Sequence, residues 1–202
     1  MARPADITET VIDAAFGLIA EHGWRRLTMR DIADASGLSA AELHAAFLSK
    51  HGILRAFQRR IDAAVLSSGE PPDADDSTRD RLFDVVMRRL DALAPYKPAI
   101  ARLRREAMCR PSLLACIVPD TLVSMAWMLE AAGVGGDGPA GIVRAKVLAA
   151  VYLSVLDVWL KDDSPDMAST MAALDKRLER VEMAVHTCRK ACQRHENGAL
   201  QK

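Results

Sequence analysis

The chain has 202 residues, with 27 Lys+Arg against 27 Asp+Glu, and half of its residues are apolar while only 4% are aromatic. That length is ample for a sizeable core in one or two domains, and the apolar fraction with no net charge excludes a disordered chain. Zero net charge also excludes coating of nucleic acid by bulk electrostatics, but not a sequence-specific reader whose basic residues gather on one face.

Apolar residues recur at helical spacing almost throughout, and no period-2 strand stands out, so the fold class is all-α with about nine helices. The first helix follows Pro4 and Asp6 and stops at Gly23. A short second helix starts at Thr28, with Asp31 at capping-box spacing, and Ser36-Gly37 ends it. Ser39 and Glu42 repeat the capping-box spacing at the start of a third, and a fourth runs from near Ser49 to about Leu66. The stretch from Ser67 to Ser77, rich in Pro, Gly, Ser and acid, reads as a linker. It divides a domain at 1–66 from a second at 78–195. Helices are expected there at 78–94, 98–109, 112–133, 140–162 and 165–194. Pro119 should kink the third of these, and Asp163-Ser-Pro-Asp166 should start the last.

Two short helices joined by a tight turn at Gly37 have helix-turn-helix spacing. Ile12, Ala15, Ile19, Leu27, Ile32, Ala33, Leu38, Leu43, Phe47 and Leu54 supply a small core beneath them. A helix that begins with small residues can enter a major groove while flanking donors hold phosphates. Ser39, Ala40, Ala41, His44 and Ala45 stand at that reading helix, and Thr28, Arg30 and Lys50 lie near helix N-termini where phosphate binds. Residues 24–60 carry seven basic against three acidic residues, a local excess of four.

The last helix carries Met167, Met171, Leu174, Leu178, Val181, Val185, Cys188 and Cys192 at alternating spacings of four and three, an a/d seam. The helix before it is apolar nearly all round. Together they suggest a homodimer interface through Val155, Trp159, Met167, Met171, Leu174, Leu178 and Val181. Met87, Met108, Met125, Trp127, Met128 and Tyr152 are candidate lining for an apolar pocket, since methionine adapts to irregular ligands. Cys188, Cys192 and His195 share a helical face, but the cysteines continue the seam, so no metal is expected. No catalytic constellation, phosphate-cradling glycine motif or cofactor motif stands out, so an enzyme is not expected. Four cysteines with no CxxC pair, and no apolar signal core at the N-terminus, fit a cytoplasmic protein. Val147–Leu160 is an apolar run of about fourteen residues, short of the roughly 20 a bilayer span needs, so a core helix without stable membrane insertion is expected.

The residues Ala14-Ala15, Glu21-His-Gly23, Thr28-Met-Arg-Asp-Ile-Ala33, Ser36-Gly-Leu-Ser39, Leu43, Phe47, Ser49-Lys50 and Leu54 resemble the N-terminal domain of TetR-type transcriptional regulators. The resemblance implies three DNA-binding helices, then a helical domain for ligand binding and dimerisation. It also implies double-stranded operator DNA and a small apolar effector as partners. Family members commonly carry an aromatic-rich run in the recognition helix. Here that run is His44-Ala-Ala-Phe47, and Glu42 stands where Thr is usual. Each change removes a donor or adds a negative charge near phosphate.

A second resemblance spans both domains. His22-Gly-Trp24, Gly37-Leu-Ser-Ala40, Leu93-Ala-Pro-Tyr96, Arg144-Ala-Lys-Val-Leu-Ala-Ala-Val-Tyr152 and Asp163-Ser-Pro-Asp166 with Thr170 and Leu174-Asp-Lys-Arg-Leu178 are similar to a lipid-binding accessory family of ubiquinone biosynthesis. That family uses the TetR fold without regulating transcription. It implies that Arg102, Arg104, Arg105 and Arg110 meet anionic lipid head groups. The denser N-terminal match favours the regulator.

Overall fold

The computed structural model describes the backbone of residues 4–68 and 75–199, and the side chains of 6–68, 75–187 and 190. Most of the expected linker, and the side chains of Cys188, Cys192 and His195, lie outside the described residues. Nine α-helices and one 3-10 turn occur among them. They are α1 (Pro4–His22), α2 (Met29–Ser36), α3 (Ala40–Ala46), α4 (Lys50–Ser68), α5 (Thr78–Leu93), a turn at Ala94–Tyr96, α6 (Lys97–Met108), α7 (Pro111–Ala131), α8 (Gly138–Trp159) and α9 (Ala168–Ala199). Among the described residues the secondary structure is entirely helical, as the sequence patterning requires.

Local chemistry sets the first boundaries. Gly23 and Gly37 both adopt positive φ, which ends α1 and α2 without steric cost. Past Gly37, the Leu38 N–H donates to the Ala33 carbonyl at 3.1 Å, so the chain turns sharply into α3. Thr28 caps α2 and Ser39 caps α3, each with a complete capping box.

The expected start of α9 differs from the observed one. Ser164 and Pro165 lie in a turn, and the helix begins at Ala168. Asp162 is the cause. Its carboxylate accepts from the Ser164 hydroxyl at 2.5 Å and from the Thr170 N–H and hydroxyl at 2.8 and 2.7 Å. These bonds lower the Asp162 pKa, the one from Ser164 most. The cap therefore comes from Asp162, with Met167 at a φ of 51° completing the bend.

The core is one continuous apolar cluster from α1 to α9. Eight of the ten residues expected beneath the first helices are buried, and Leu38 and Leu54 pack against them half-exposed. α4 leaves the N-terminal helices and packs on α5 and α7, while α1 packs on α6. α7 sits at the centre of the second half, in contact with α4, α5, α6 and α8. By length and composition it is the one helix among the described residues apolar enough to cross a membrane. Pro119 lies within this helix, and the apolar run at 147–160 belongs to α8.

The first part of the α9 seam packs within the chain, while Val185 farther along it is exposed. Val155, Trp159, Leu174 and Leu178 are buried, and α9 packs on α5 and α8. Met167 and Val181 pack half-buried against the same core, and Met171 is also half-buried. Large apolar side chains left exposed include Val123 and Trp127 of α7, Ile142, Val143 and Val147 of α8, and Met183 and Val185 of α9. The apolar α8 is covered along only part of its circumference.

Candidate nucleic-acid interface and ligand cavity

α3 buries only Leu43; Ala40, Ala41, Glu42, His44, Ala45 and Ala46 all face solvent. A helix attached to its domain by one side chain is held mainly by its caps. At the N-terminus the Ser39 hydroxyl and N–H both donate to Glu42 Oε2, at 2.7 and 2.9 Å, and the Glu42 N–H returns a bond to Ser39 at 3.2 Å. At the C-terminus the Phe47 N–H donates to the Leu43 carbonyl and its ring is buried. The Glu42 carboxylate is thus turned back onto its own helix start. The Ser39 donors hold its pKa below the usual value.

The proposed phosphate donors divide. Arg30 is almost fully solvent-exposed, with Asp34 at the edge of ion-pair range at 3.9 Å. The Thr28 hydroxyl is occupied, donating to Asp31 Oδ2 at 2.7 Å, which lowers the Asp31 pKa. Lys50 is also engaged. Its ammonium donates to the Trp24 and Leu27 carbonyls at 3.0 Å each and lies 4.5 Å from the Trp24 ring centroid. Burial lowers its pKa, and nearby Arg110 adds to that. Lys50 therefore closes the α1–α2 corner in this structure and does not point to solvent. Two more of the local cations are paired: Arg55 with Asp120 at 3.1 Å, and Arg60 with Glu9 and Asp13 at 2.7 and 2.8 Å. Arg25 and Arg26 remain exposed beside Arg30.

One apolar residue in this region was not singled out from the sequence. Leu48, just after α3, is 85% exposed. A lone leucine in a turn carries no periodicity signal, so nothing in the pattern marks it.

A cavity of about 170 Å³ lies between α1 and α4 on one side and α6, α7 and α8 on the other. Its walls are apolar, among them Phe16, Phe57, Leu103 and Leu156, and Gln58, Thr121, Tyr152 and Arg104 are its polar points. Val118, partly exposed, marks its solvent side. Of the residues expected to line a pocket, only Tyr152 does so. Met125 and Met128 are fully buried in the core, Met108 and Trp127 are exposed, and Met87 is half-buried away from the cavity. Helix phase decides this: Met125 and Met128 face the packing centre of α7, and Trp127 faces out.

The polar end of the cavity is backed by a buried network. Gln58 Nε2 donates to Thr121 at 3.3 Å, and Arg89 donates to Gln58 Oε1 at 2.8 Å and to Asp62. Ser124 donates to the other Asp62 oxygen at 2.7 Å. Burial works against the Arg89 charge, but Tyr152 and Asp62 outweigh it and keep the guanidinium protonated. At the other end, Arg104 makes a two-pronged pair with Asp157, both bonds at 3.0 Å.

These features place the chain among known folds. A family model described as "Bacterial regulatory proteins, tetR family" matches residues 11–57, the whole of α2 and α3 with most of α1 and the start of α4. A TetR transcriptional regulator from Nitrosomonas europaea superposes with a TM-score of 0.68 at 22% identity, over 87% of this chain and 97% of that one. The fold is that of the TetR regulators. A putative TetR-family regulator from Syntrophomonas wolfei gives 0.67 at 15% identity, over 89% and 96% of the two chains. One from a Rhodococcus species gives 0.62 at 21%, over 87% and 98%. A second family model, described as COQ9, matches residues 144–185, which span most of α8 and half of α9 of this TetR fold. No curated protein matches the chain.

Proposed function

We propose that this chain is a DNA-binding transcriptional regulator, a repressor released when a small apolar effector enters the cavity. The observation that carries this reading is α3, capped at both ends, anchored by Leu43 alone and presenting Ala40, Ala41, His44 and Ala45 outward. Small side chains let the helix approach base edges closely, and exposed Leu48 offers an apolar contact of the kind a thymine methyl accepts. Thr28, Arg30 and Ser39 stand at or beside helix starts, where backbone N–H groups favour phosphate. Lys50 supports the corner that positions them.

Effector and DNA communicate through α6 in this reading. α6 lines the cavity with Ile100, Leu103 and Ala107. One residue before Ala107, Glu106 Oε2 accepts the Arg25 N–H at 2.9 Å, at the entrance to α2. A ligand that favours one position of α6 shifts the population of head positions by its differential affinity. The cavity volume sets the ligand class: about 170 Å³ is close to the ~150 Å³ that accommodates benzene, so a compact ring-sized molecule fits without rearrangement.

The second reading, a lipid-binding accessory protein that does not bind DNA, is favoured by the match over 144–185. The denser match over the N-terminal helices, residues 11–57, ranks that reading second. In the regulator reading the protein acts in the cytoplasm as a homodimer. The second copy sits on the apolar side chains left exposed on the last three helices, Val123 and Trp127 of α7, Val143 and Val147 of α8 and Val185 of α9.

The test is fluorescence anisotropy of the full chain against duplexes tiling the DNA upstream of its own reading frame. At least one duplex should bind specifically, and Arg30→Ala should weaken binding without moving the thermal midpoint. Absence of binding to every tile at low salt, together with co-purified isoprenoid lipid, would transfer the assignment to the second reading.

A further inference from the structure

We infer that the DNA-contacting surface extends beyond the helix-turn-helix onto the C-terminal end of α6, where Arg102, Arg105 and Arg110 contact the phosphate backbone of the duplex. The inference rests on the DNA-binding reading above.

Its basis is a junction between α6 and the α1–α2 corner. Arg102, Arg105, Glu106 and Cys109 are spaced i, i+3, i+4 and i+7, so they share one face. That face meets the corner: Glu106 holds the Arg25 N–H, and a Cβ at Gly23 would come within 3.5 Å of Arg102 Nη1. Arg110 follows directly and stands close enough to Lys50 to oppose its charge. Arg102, Arg105 and Arg110 are exposed, as are Arg25, Arg26 and Arg30 on the head itself. The two groups therefore form one basic surface across the seam.

Arg104 supplies the contrast. It belongs to the same run, points the other way, and is matched by Asp157. On the junction side the one carboxylate of the stripe, Glu106, is already committed to a backbone N–H. Exposed arginines held side by side at the junction repel one another, and a polyanion relieves that repulsion. A duplex presents one negative charge per ~1.7 Å of axis, dense enough to engage the head and the α6 end together.

The experiment measures the salt dependence of binding to a mixed-sequence duplex of about 40 base pairs, between about 50 and 200 mM salt, where binding is set by phosphate contacts. Three proteins are compared: the unaltered chain, the triple variant Arg102→Ala/Arg105→Ala/Arg110→Ala, and the control Lys161→Ala/Lys176→Ala/Arg180→Ala, which removes the same charge elsewhere. The α6 triple should reduce the slope of log K against log salt by roughly 2–3, about 0.9 per lost phosphate contact, and the control should leave it near that of the unaltered chain. Equal slopes for all three proteins, with the unaltered chain bound, overturn the inference and leave the DNA reading intact. Failure of the unaltered chain to bind at low salt overturns both. A parallel arm uses vesicles of phosphatidylglycerol and phosphatidylcholine. Loss of vesicle binding in the α6 triple, with its DNA slope unchanged, assigns the surface to a membrane and also overturns the inference.

Discussion

Ser39 and Thr28 each do two jobs with one hydroxyl: accept a backbone N–H and donate to a carboxylate three residues on. For Ser39 this fixes where the Glu42 carboxylate sits, folded back onto the helix start. Both carboxylates have folded pKa values below their ordinary ones, so the folded state binds protons less tightly than the unfolded chain. The stability they contribute is complete above the unfolded carboxylate range, near pH 4, and is lost as pH falls through the lowered folded values. Ser39→Ala should cost about 1 kcal/mol at neutral pH by urea titration, as loss of an N-cap generally does. The gap between variant and unaltered chain should narrow below about pH 4. A gap independent of pH would mean that Glu42 is not held through Ser39.

Among the elements, the boundaries with a local cause were the ones legible in advance. Gly23, Gly37 and the two capping boxes act within four residues of themselves, so α1 to α4 could be placed from the sequence, and α5 to α8 within two or three residues. The start of α9 falls three residues past the Ser-Pro signal, because Asp162 reaches eight residues forward to Thr170. The cavity was not legible. Its polar points, Gln58, Thr121 and Arg104, come from three helices and share no spacing. The apolar seam of α9 was visible, but periodicity alone does not say whether a seam faces its own chain or another. The buried pair joining α4 to α5 yields a prediction at this scale. Arg89→Met leaves Asp62 buried without its cation, which should cost about 3–5 kcal/mol in denaturant unfolding. It should also disturb the cavity, since Gln58 loses the donor that orients it. A cost under about 1 kcal/mol would place the pair in water rather than in the core.

For the whole molecule, the neutral total conceals opposed regions. The surface around α2, α3 and the end of α6 gathers exposed arginines, while Arg55 and Arg60 on α4 are matched by Asp120, Glu9 and Asp13. The second molecular-scale feature is the apolar face of α7 and α8, where Trp127 is half-exposed. Exposed apolar side chains grouped on neighbouring helices make this a candidate interaction site. Trp127→Glu should convert a dimer to a monomer in sedimentation equilibrium while leaving helical content unchanged, because the side chain is not part of the core. A chain that is monomeric before the substitution would remove the face from the account. In the proposed dimer, two-fold symmetry sets the site, since paired heads of this kind read half-sites about 34–36 Å apart, one helical turn of DNA. The most direct measurement is therefore selection of duplexes from a random library by the full-length protein. The account predicts enrichment of a palindromic site, lost with Arg30→Ala and weakened by salt. Recovery of no enriched sequence at low salt, from protein shown to be folded and dimeric, would contradict it.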